Sequence, residues 1–266
     1  MISTEQLEHL VKLAILSAYI KNERAVSILV SARIESGKTE IIKKASTCRG
    51  VLYLNDVTAY GLQKHYLKRI VEREIRTIII PDLLVPFAKQ HSTVETFIAF
   101  MNGLLEEGQV AVSTFAMHLE LPGETRCNLI TSTTRRDLSK QMDRWTRIGF
   151  ISRLIPVTYE YAPSTVYRIM KSIALREYQN ETNFTGLELP NSDVIVELPV
   201  EIATQVESLV PLLSKGLETY GFRLQKQIQT LCMASAIFNK RTTVEQIDFD
   251  IISKLADHFN LDYKQI

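Results

Sequence analysis

Cysteine is scarce in this chain of 266 residues, and its spacing argues against two common ways of cross-linking a fold. The three cysteines, Cys48, Cys127 and Cys232, are isolated, and no two of them form a CxxC pair. A disulfide framework or a zinc module needs paired or closely spaced cysteines, so neither is expected here. Reduced thiols are the rule in the cytosol, so the sequence predicts a cytoplasmic protein.

Long apolar runs and an excess of one charge are also lacking. No run approaches the ~18 apolar residues that a membrane helix needs, so no membrane partner is expected. The N-terminal sequence MISTEQLEHL lacks the basic-then-apolar layout of a signal peptide. Lysine and arginine together number 31, against 30 aspartates and glutamates. No global field therefore attracts nucleic acid, and any such binding is expected from a local patch.

The chain does hold enough apolar residues for a sizeable core, with 45% hydrophobic and 23% charged residues. Short apolar runs alternate with helical patterns, and runs as uniform as Thr77–Ile80 are typical of parallel strands covered on both faces. We therefore expect an α/β fold, a parallel sheet in a three-layer domain with right-handed crossovers. The predicted strands are Ala25–Val30, Val51–Leu54, Thr77–Ile80, Cys127–Ser132 and Leu154–Tyr161, and the predicted helices are 4–21, 38–45, 59–74, 93–107 and 135–147.

The pattern changes at Pro163, after which only helical periodicity is strong. The segment 179–198 is interpreted as a loop with at most one short strand. We therefore predict an α/β domain over residues 1–162 and a small helical domain over residues 163–266. Further predictions are a hairpin formed by Val110–Val112 and His118–Leu121, and C-terminal helices at 163–178, 199–215, 221–238 and 243–258.

A phosphate-binding motif stands between the first predicted strand and the helix that follows it. The segment runs from Ala32 through Ser36, Gly37, Lys38 and Thr39, in the pattern AxxxxGKT. In this context backbone N–H groups face the phosphates, and the helix start adds a partial positive charge. The lysine is expected to reach the β- and γ-phosphates of ATP, and the threonine to bind Mg²⁺. Alanine replaces the usual first glycine, which is the mildest departure available.

An acidic partner for the metal is expected at the end of a neighbouring strand. Asp82 follows the apolar run Thr77–Ile80 after one proline, and it is predicted to hold Mg²⁺ directly or through water. Leu83 occupies the next position, where many ATPases carry a glutamate that activates the attacking water. The sequence therefore predicts slow hydrolysis, or hydrolysis that depends on another group such as Glu106, Glu107 or His91.

The order of these pieces resembles that of the AAA+ ATPase family over about residues 1–258. Ala32 to Thr39 is similar to the Walker A motif, and Ile78 to Asp82 to the Walker B motif. The stretch LLEEGQV, Leu104 to Val110, resembles the branch that contains MoxR, magnesium chelatase and MCM proteins. The resemblance implies a P-loop NTPase domain followed by a helical lid, with ATP and Mg²⁺ as cofactors.

The same resemblance implies roles for three further residues. Thr134 stands at the sensor 1 position, where the family usually has asparagine. Arg153 resembles an arginine finger that acts on the nucleotide of a neighbouring subunit, although Arg144 and Arg147 are close rivals. Arg223, at the start of a lid helix, resembles the sensor 2 arginine that contacts the nucleotide. An arginine finger requires a ring or filament of identical subunits, so a homo-oligomer is expected.

Three functions remain open from the sequence. The first is an ATPase that remodels a protein client, with the hairpin projecting into a central pore. The second is an ATPase associated with DNA, such as a helicase loader or a transposition regulator, for which Trp145 and the basic helix face at Lys64, His65, Lys68 and Arg69 are the relevant features. The third is an assembly switch that binds ATP and barely hydrolyses it, in keeping with Leu83.

Overall fold

A computed structural model describes residues 4–108, 112–114, 117–119, 126–177, 183–215, 219–259 and 261. Strands and helices alternate up to Thr158, and helices follow from there. The strands are β1 (Ser27–Ala32), β2 (Val51–Tyr53), β3 (Thr77–Ile80), β4 (Val112–Thr114), β5 (Met117–Leu119), β6 (Asn128–Thr134) and β7 (Leu154–Thr158). The helices are α1 (Thr4–Ser17), α2 (Lys38–Lys43), α3 (Ala59–Val71), α4 (Leu84–Phe87), α5 (His91–Asn102), α6 (Arg135–Arg147), α7 (Pro163–Ala174), α8 (Val200–Leu213), α9 (Phe222–Phe238) and α10 (Gln246–Ala256).

Five strands form one parallel sheet in the order β2-β3-β6-β1-β7. The register pairs Ala32 of β1 with Thr134 of β6, and Ile80 of β3 with Thr131 of β6. Because all five strands run the same way, their carboxyl ends meet at one edge of the sheet, which we call the carboxyl edge. The opposite edge, where the strands begin, is the amino edge. The predicted parallel α/β sheet is confirmed.

Side chains alternate between two hydrophobic cores, one on each face of the sheet. Ile28 and Val30 of β1 join a core with α1, α2 and the C-terminal helices, whereas Leu29 joins a core with α3, α5 and α6. This alternation follows from the two-residue period of a strand. It also explains why a strand such as β3 is almost uniformly apolar, since both faces of the sheet are covered by helices.

The first of these cores continues past residue 162 into the C-terminal helices. α9 packs against α1, and α8 and α10 pack against α9. The segment before α8 is tied to the sheet side of the molecule as well, because Val194 bridges to Ile20 and Asp193 forms an ion pair with Arg73. The division of the chain at residue 162 stays a prediction, and the packing across it is extensive.

Several predicted boundaries shift in the structure. β1 runs from Ser27 to Ala32 instead of 25–30, because its hydrogen-bonded neighbours β6 and β7 extend the pairing to the end of the strand. α5 begins at His91 and passes into a π-helical turn at Gly103–Glu107. β4 and β5 pair antiparallel, as the predicted hairpin requires. The other residues of that hairpin, 110–111 and 120–121, lie outside the described part of the chain.

Candidate functional site

The predicted phosphate loop joins β1 to α2 at the carboxyl edge. Ala32 is the last residue of β1, and Lys38 is the first residue of α2. Between them, Glu35 and Gly37 adopt left-handed conformations, with φ of 62° and 75°. Left-handed residues within a turn direct successive backbone N–H groups into a shared concavity, which suits an anion. Gly37 is also the N-cap of α2, so the positive end of the helix dipole faces the same space.

Lys38 and Asp82 lie close enough to interact electrostatically. Partial burial lowers the pKa of the Lys38 ammonium, and the negative charge of Asp82 opposes that shift. The Lys38 Nζ donates a hydrogen bond to the carbonyl oxygen of Arg33 within the loop, at 3.3 Å. The ammonium is therefore held over the loop by a backbone oxygen, a contact that a more strongly charged acceptor can replace.

Asp82 reaches this position from a strand that is not adjacent to β1. The expectation of a neighbouring strand was wrong in this detail, since β6 lies between β1 and β3. The side chain of Asp82 is exposed, and its Oδ1 accepts a hydrogen bond from the N–H of Leu84 at 3.0 Å. Its Oδ2 accepts no hydrogen bond from the residues that the structure describes. The carboxylate lies at the carboxyl edge, as the loop does.

Leu83 belongs to the core and not to the site. Its side chain is fully buried among residues of α3, α5 and α6. Its N–H donates to the carbonyl oxygen of Ser132 at 2.9 Å, which fixes the direction of the side chain. The position at which many ATPases carry a water-activating glutamate is therefore filled here by a residue that faces away from solvent.

Thr134 lies directly beside the phosphate loop, but its hydroxyl is already engaged. It is the register partner of Ala32, at the end of β6. The same residue is the N-cap of α6: its Oγ1 accepts from the N–H of Asp137 at 3.2 Å and also contacts the Asp137 carboxylate. The predicted role as a sensor thus competes with helix capping, which satisfies orphan N–H groups.

Two tyrosines that the sequence analysis did not single out reach into the loop. Tyr159 and Tyr161 follow β7, and both hydroxyls donate to the carbonyl oxygen of Ser36, at 2.5 and 2.6 Å. Between them, Glu160 forms an ion pair with Arg33 of the loop at 2.6 Å. The pattern Tyr-x-Tyr at the end of a strand was visible in the sequence, but its direction depends on β7 lying next to β1.

The two predicted arginines lie together at the amino edge. Arg153 pairs with Glu106 at 2.6 Å, and Arg223 bonds to both oxygens of the same carboxylate. Arg223 also donates to the Ser152 hydroxyl at 2.9 Å. The β1–β7 register pairs Leu154 with Ser27, so this cluster is about 16 Å along the strands from Ala32, at ~3.3 Å per residue. The structure does not bring Arg223 to the loop of its own chain.

Neither of the described alternative bases lies at the loop. Glu106 is held at the amino edge by the two arginines, and exposed His91 faces Glu95 on its own helix at 3.5 Å. The side chain of Glu107 lies outside the described part of the structure. Trp145 is completely buried in an aromatic cluster with Phe87, so it offers no face to a nucleic-acid base.

The residues of the loop fit a bound polyphosphate. Ser36 Oγ is buried and has no hydrogen-bond partner among the described residues, and the same holds for Ser31 Oγ and Thr133 Oγ1 on the paired strands behind the loop. Buried hydroxyls of this kind are costly unless a ligand or water satisfies them. Thr39, in the first turn of α2, is exposed. Its hydroxyl and the Asp82 carboxylate offer the oxygen ligands that Mg²⁺ prefers.

Comparison of the sequence with models of protein families gave no match, and no curated protein matched it significantly. Among the described residues, no helix combines the length and the apolar character needed to cross a membrane.

Proposed function

We propose that this chain binds ATP with Mg²⁺ at the carboxyl edge of its sheet and, in the manner of AAA+ proteins, uses the nucleotide to control self-assembly and to remodel a partner complex. The observation that carries the proposal is the loop between β1 and α2, which places the ammonium of Lys38 near the carboxylate of Asp82. Its left-handed residues suit phosphate oxygens, and so does the buried Ser36 hydroxyl, which has no hydrogen-bond partner among the described residues.

Each group of residues at this site has a separate role in binding the nucleotide. Backbone N–H groups of the loop and the start of α2 bind phosphate oxygens, and Lys38 neutralises their charge. Thr39 and Asp82 would hold Mg²⁺, and the ion would supply positive charge to neutralise the phosphates. Thr134 stands beside the loop and orients α6 through its cap.

Slow hydrolysis is part of the proposal because Leu83 is buried. With no carboxylate at that position to activate water, turnover is expected at or below the low end of the usual ~1–10³ s⁻¹. If hydrolysis is slow, bound ATP keeps the protein in its ATP-bound state for longer than fast hydrolysis would. Slow hydrolysis therefore favours the third candidate function, an assembly switch, as the way in which this protein remodels a partner complex.

Two surfaces support assembly with a second copy of the chain. Arg153 and Arg223 are clustered at the amino edge, far from the loop of their own subunit. α7 has no buried residue in the structure, and its apolar stripe faces solvent, as is typical of a surface that binds a partner. The stripe consists of Val166, Tyr167, Met170 and Ile173, and Leu175 follows at its end.

The test of the proposal is the mass of the protein in solution with ATP, with ADP and without nucleotide, measured together with ATP binding and turnover. ATP is expected to bind and to produce a larger assembly than ADP does. A chain that binds no ATP, or whose mass is indifferent to it, contradicts the proposal. A parallel sample with duplex DNA at two salt concentrations tests the DNA-associated alternative, which requires strong salt dependence.

Arg153→Ala is expected to abolish the ATP-dependent assembly while leaving ATP binding by the single subunit unchanged. The reason is that Arg153 lies at the amino edge and would serve a neighbour's nucleotide. Glu106→Gln is the matched control, because it breaks the same ion pair and keeps both arginines. Assembly that survives in Arg153→Ala, or is lost equally in Glu106→Gln, would exclude an arginine-finger role for this residue.

Leu83→Glu is expected to destabilise the protein without creating a fast ATPase. A carboxylate at this fully buried position loses its hydration, which costs at least ~3 kcal/mol of unfolding free energy. Val85→Glu, at an exposed position of the short helix α4 that follows Leu83, serves as the control and should stay within ~0.5 kcal/mol of wild type. Urea unfolding and steady-state turnover measure both effects, and a tenfold gain in turnover by Leu83→Glu would show that the side chain can reach the site.

A further inference from the structure

The carbonyl group of Ser36 is held from one side by two phenol groups. Tyr159 and Tyr161 each donate a hydrogen bond to its oxygen, and their rings meet edge to face with centroids 5.8 Å apart. A carbonyl oxygen has two lone pairs, so the two hydroxyls use its full accepting capacity. Tyr159 is buried, and burial raises the pKa of its phenol, so the hydroxyl keeps its proton and donates at physiological pH.

Sequence and strand geometry explain why both tyrosines point the same way. They are two residues apart just beyond β7, which ends at Thr158, and alternate residues of an extended chain share one face. Glu160, between them, faces the other way and pairs with Arg33. The three consecutive residues therefore hold the phosphate loop at two places, one on its backbone and one on a side chain.

The bond to Ser36 fixes the direction of the next N–H group. A peptide group is planar and trans, so the N–H of Gly37 points opposite to the C=O of Ser36. With the carbonyl held toward the tyrosines, the N–H of Gly37 is directed away from them. Gly37 has φ of 75°, and a Cβ there would stand 3.0 Å from the Tyr161 hydroxyl, so glycine is required for this approach.

We propose that Tyr159 and Tyr161 are positioning residues of the phosphate loop, which hold the Ser36–Gly37 peptide so that its N–H, and not its C=O, faces the bound phosphates. The inference rests on the proposed function, since it assumes that the loop binds ATP. A peptide turned the other way would present a carbonyl oxygen to the negative phosphates. The hydroxyls thus prepare the loop before the ligand arrives, and preorganised donors bind anions more tightly than donors that must first reorient.

The experiment compares Tyr159→Phe, Tyr161→Phe and the double variant with wild type in the presence of Mg²⁺. Each is titrated with ATP and with inorganic tripolyphosphate, both measured by displacement of a fluorescent ATP analogue. Phenylalanine keeps the ring and removes only the hydroxyl. Tyr60→Phe, on the exposed face of α3, is the matched control and should bind both ligands as wild type does.

The double variant is expected to bind ATP and tripolyphosphate about tenfold to a hundredfold more weakly, and by the same factor for both. Each single variant should lose about threefold, because one donor remains. Equal loss for the two ligands assigns the effect to the phosphates, because the loss of a contact with the nucleoside would weaken ATP alone. A general structural defect would also weaken both ligands, so thermal unfolding without nucleotide must show a wild-type Tm for the variants.

Wild-type affinity in the double variant overturns the inference, and so does a loss for ATP without a loss for tripolyphosphate. If the double variant fails to fold, half-exposed Tyr161→Phe decides the question, and less than a twofold loss for both ligands overturns it. Lys38→Ala in the same titration distinguishes a failure of the proposed ATP-binding function from a failure of the positioning role. If that variant loses binding while the tyrosine variants keep it, the proposed function stands and only the positioning role falls.

Discussion

Lys38→Ala is expected to weaken ATP binding by at least ~100-fold, because it removes the ammonium that neutralises the phosphates. Hydrogen bonds to charged groups contribute about 1.5–3 kcal/mol each, so the loss of two such bonds exceeds the ~2.7 kcal/mol that a hundredfold change requires. In the structure the Lys38 Nζ donates only weakly, at 3.3 Å, to a backbone oxygen of the loop. The fold should therefore tolerate the substitution.

Isothermal titration with ATP and Mg²⁺ measures the effect, and thermal unfolding without nucleotide verifies that the fold is intact. Lys43→Ala is the matched control, since Lys43 is an exposed lysine on the same helix and beyond its first turn. It should change the affinity by less than about twofold, because exposed charges that far from a ligand are screened. An unchanged affinity in Lys38→Ala would remove the basis of the proposed function.

Elements with strong local signals were predicted within a residue or two. β3 has the predicted bounds, Thr77–Ile80, because four β-branched and mostly apolar residues are followed directly by Pro81. α6 also has its predicted bounds, since Thr134 caps its start and Gly149, with φ of 68°, turns the chain soon after its end. Local chemistry decides such boundaries, so the sequence alone is sufficient for them.

β1 was misplaced by two residues at each end because its last residues carry no local signal. Ser31 and Ala32 are small and are followed by a polar loop, a pattern that indicates the end of a strand. The structure keeps both in the sheet because β6 pairs with them on one side and β7 pairs with Ser31 on the other. Pairing between segments that are distant in the sequence decides this boundary, so it cannot be predicted from the sequence of one segment alone.

The features of the candidate site also fall into those that the local sequence predicts and those that depend on contacts between distant segments. The loop and Asp82 were predictable, because both follow apolar strands and parallel strands end at one edge. The position of Arg223 was not, since its partner Glu106 is 117 residues away in the sequence. The contacts of Tyr159 and Tyr161 with Ser36 depend on the strand order, which the sequence does not reveal. Leu83 shows a third limit: the resemblance identified its position, but only packing shows that it faces the core.

The second large effect is expected at Asp248, a buried carboxylate that joins the C-terminal helices. It is completely buried on α10 and receives both terminal nitrogens of Arg241, at 2.8 and 2.9 Å. The Ser235 hydroxyl of α9 donates to it at 2.7 Å, and it also accepts from the N–H of Glu245 in a capping box. One side chain therefore connects α9, the turn after it and the start of α10.

Asp248→Ala is expected to lower the free energy of unfolding by about 3–5 kcal/mol, because Arg241 and the Ser235 hydroxyl lose their buried partner and the helix loses its cap. For a chain of this size each kcal/mol corresponds to about 2–4 °C, so the Tm should fall by roughly 10 °C. Circular dichroism during heating and urea unfolding measure the two quantities. Asp250→Ala is the control, since Asp250 is exposed on the same helix and contacts only Gln246 among the bonds that we describe.

Asp248→Asn separates the charge from the shape of this network. The amide keeps one oxygen for Arg241 but cannot accept from the arginine, the serine and the backbone together. The free energy of unfolding of Asp248→Asn should therefore lie between those of wild type and Asp248→Ala. Equal stability of Asp248→Ala and Asp250→Ala would contradict the argument, because it would mean that the buried carboxylate adds nothing beyond an exposed one. Because α9 packs on α1, and α1 belongs to the same core as β1, the loss of Asp248 is expected to lower the stability of the whole fold.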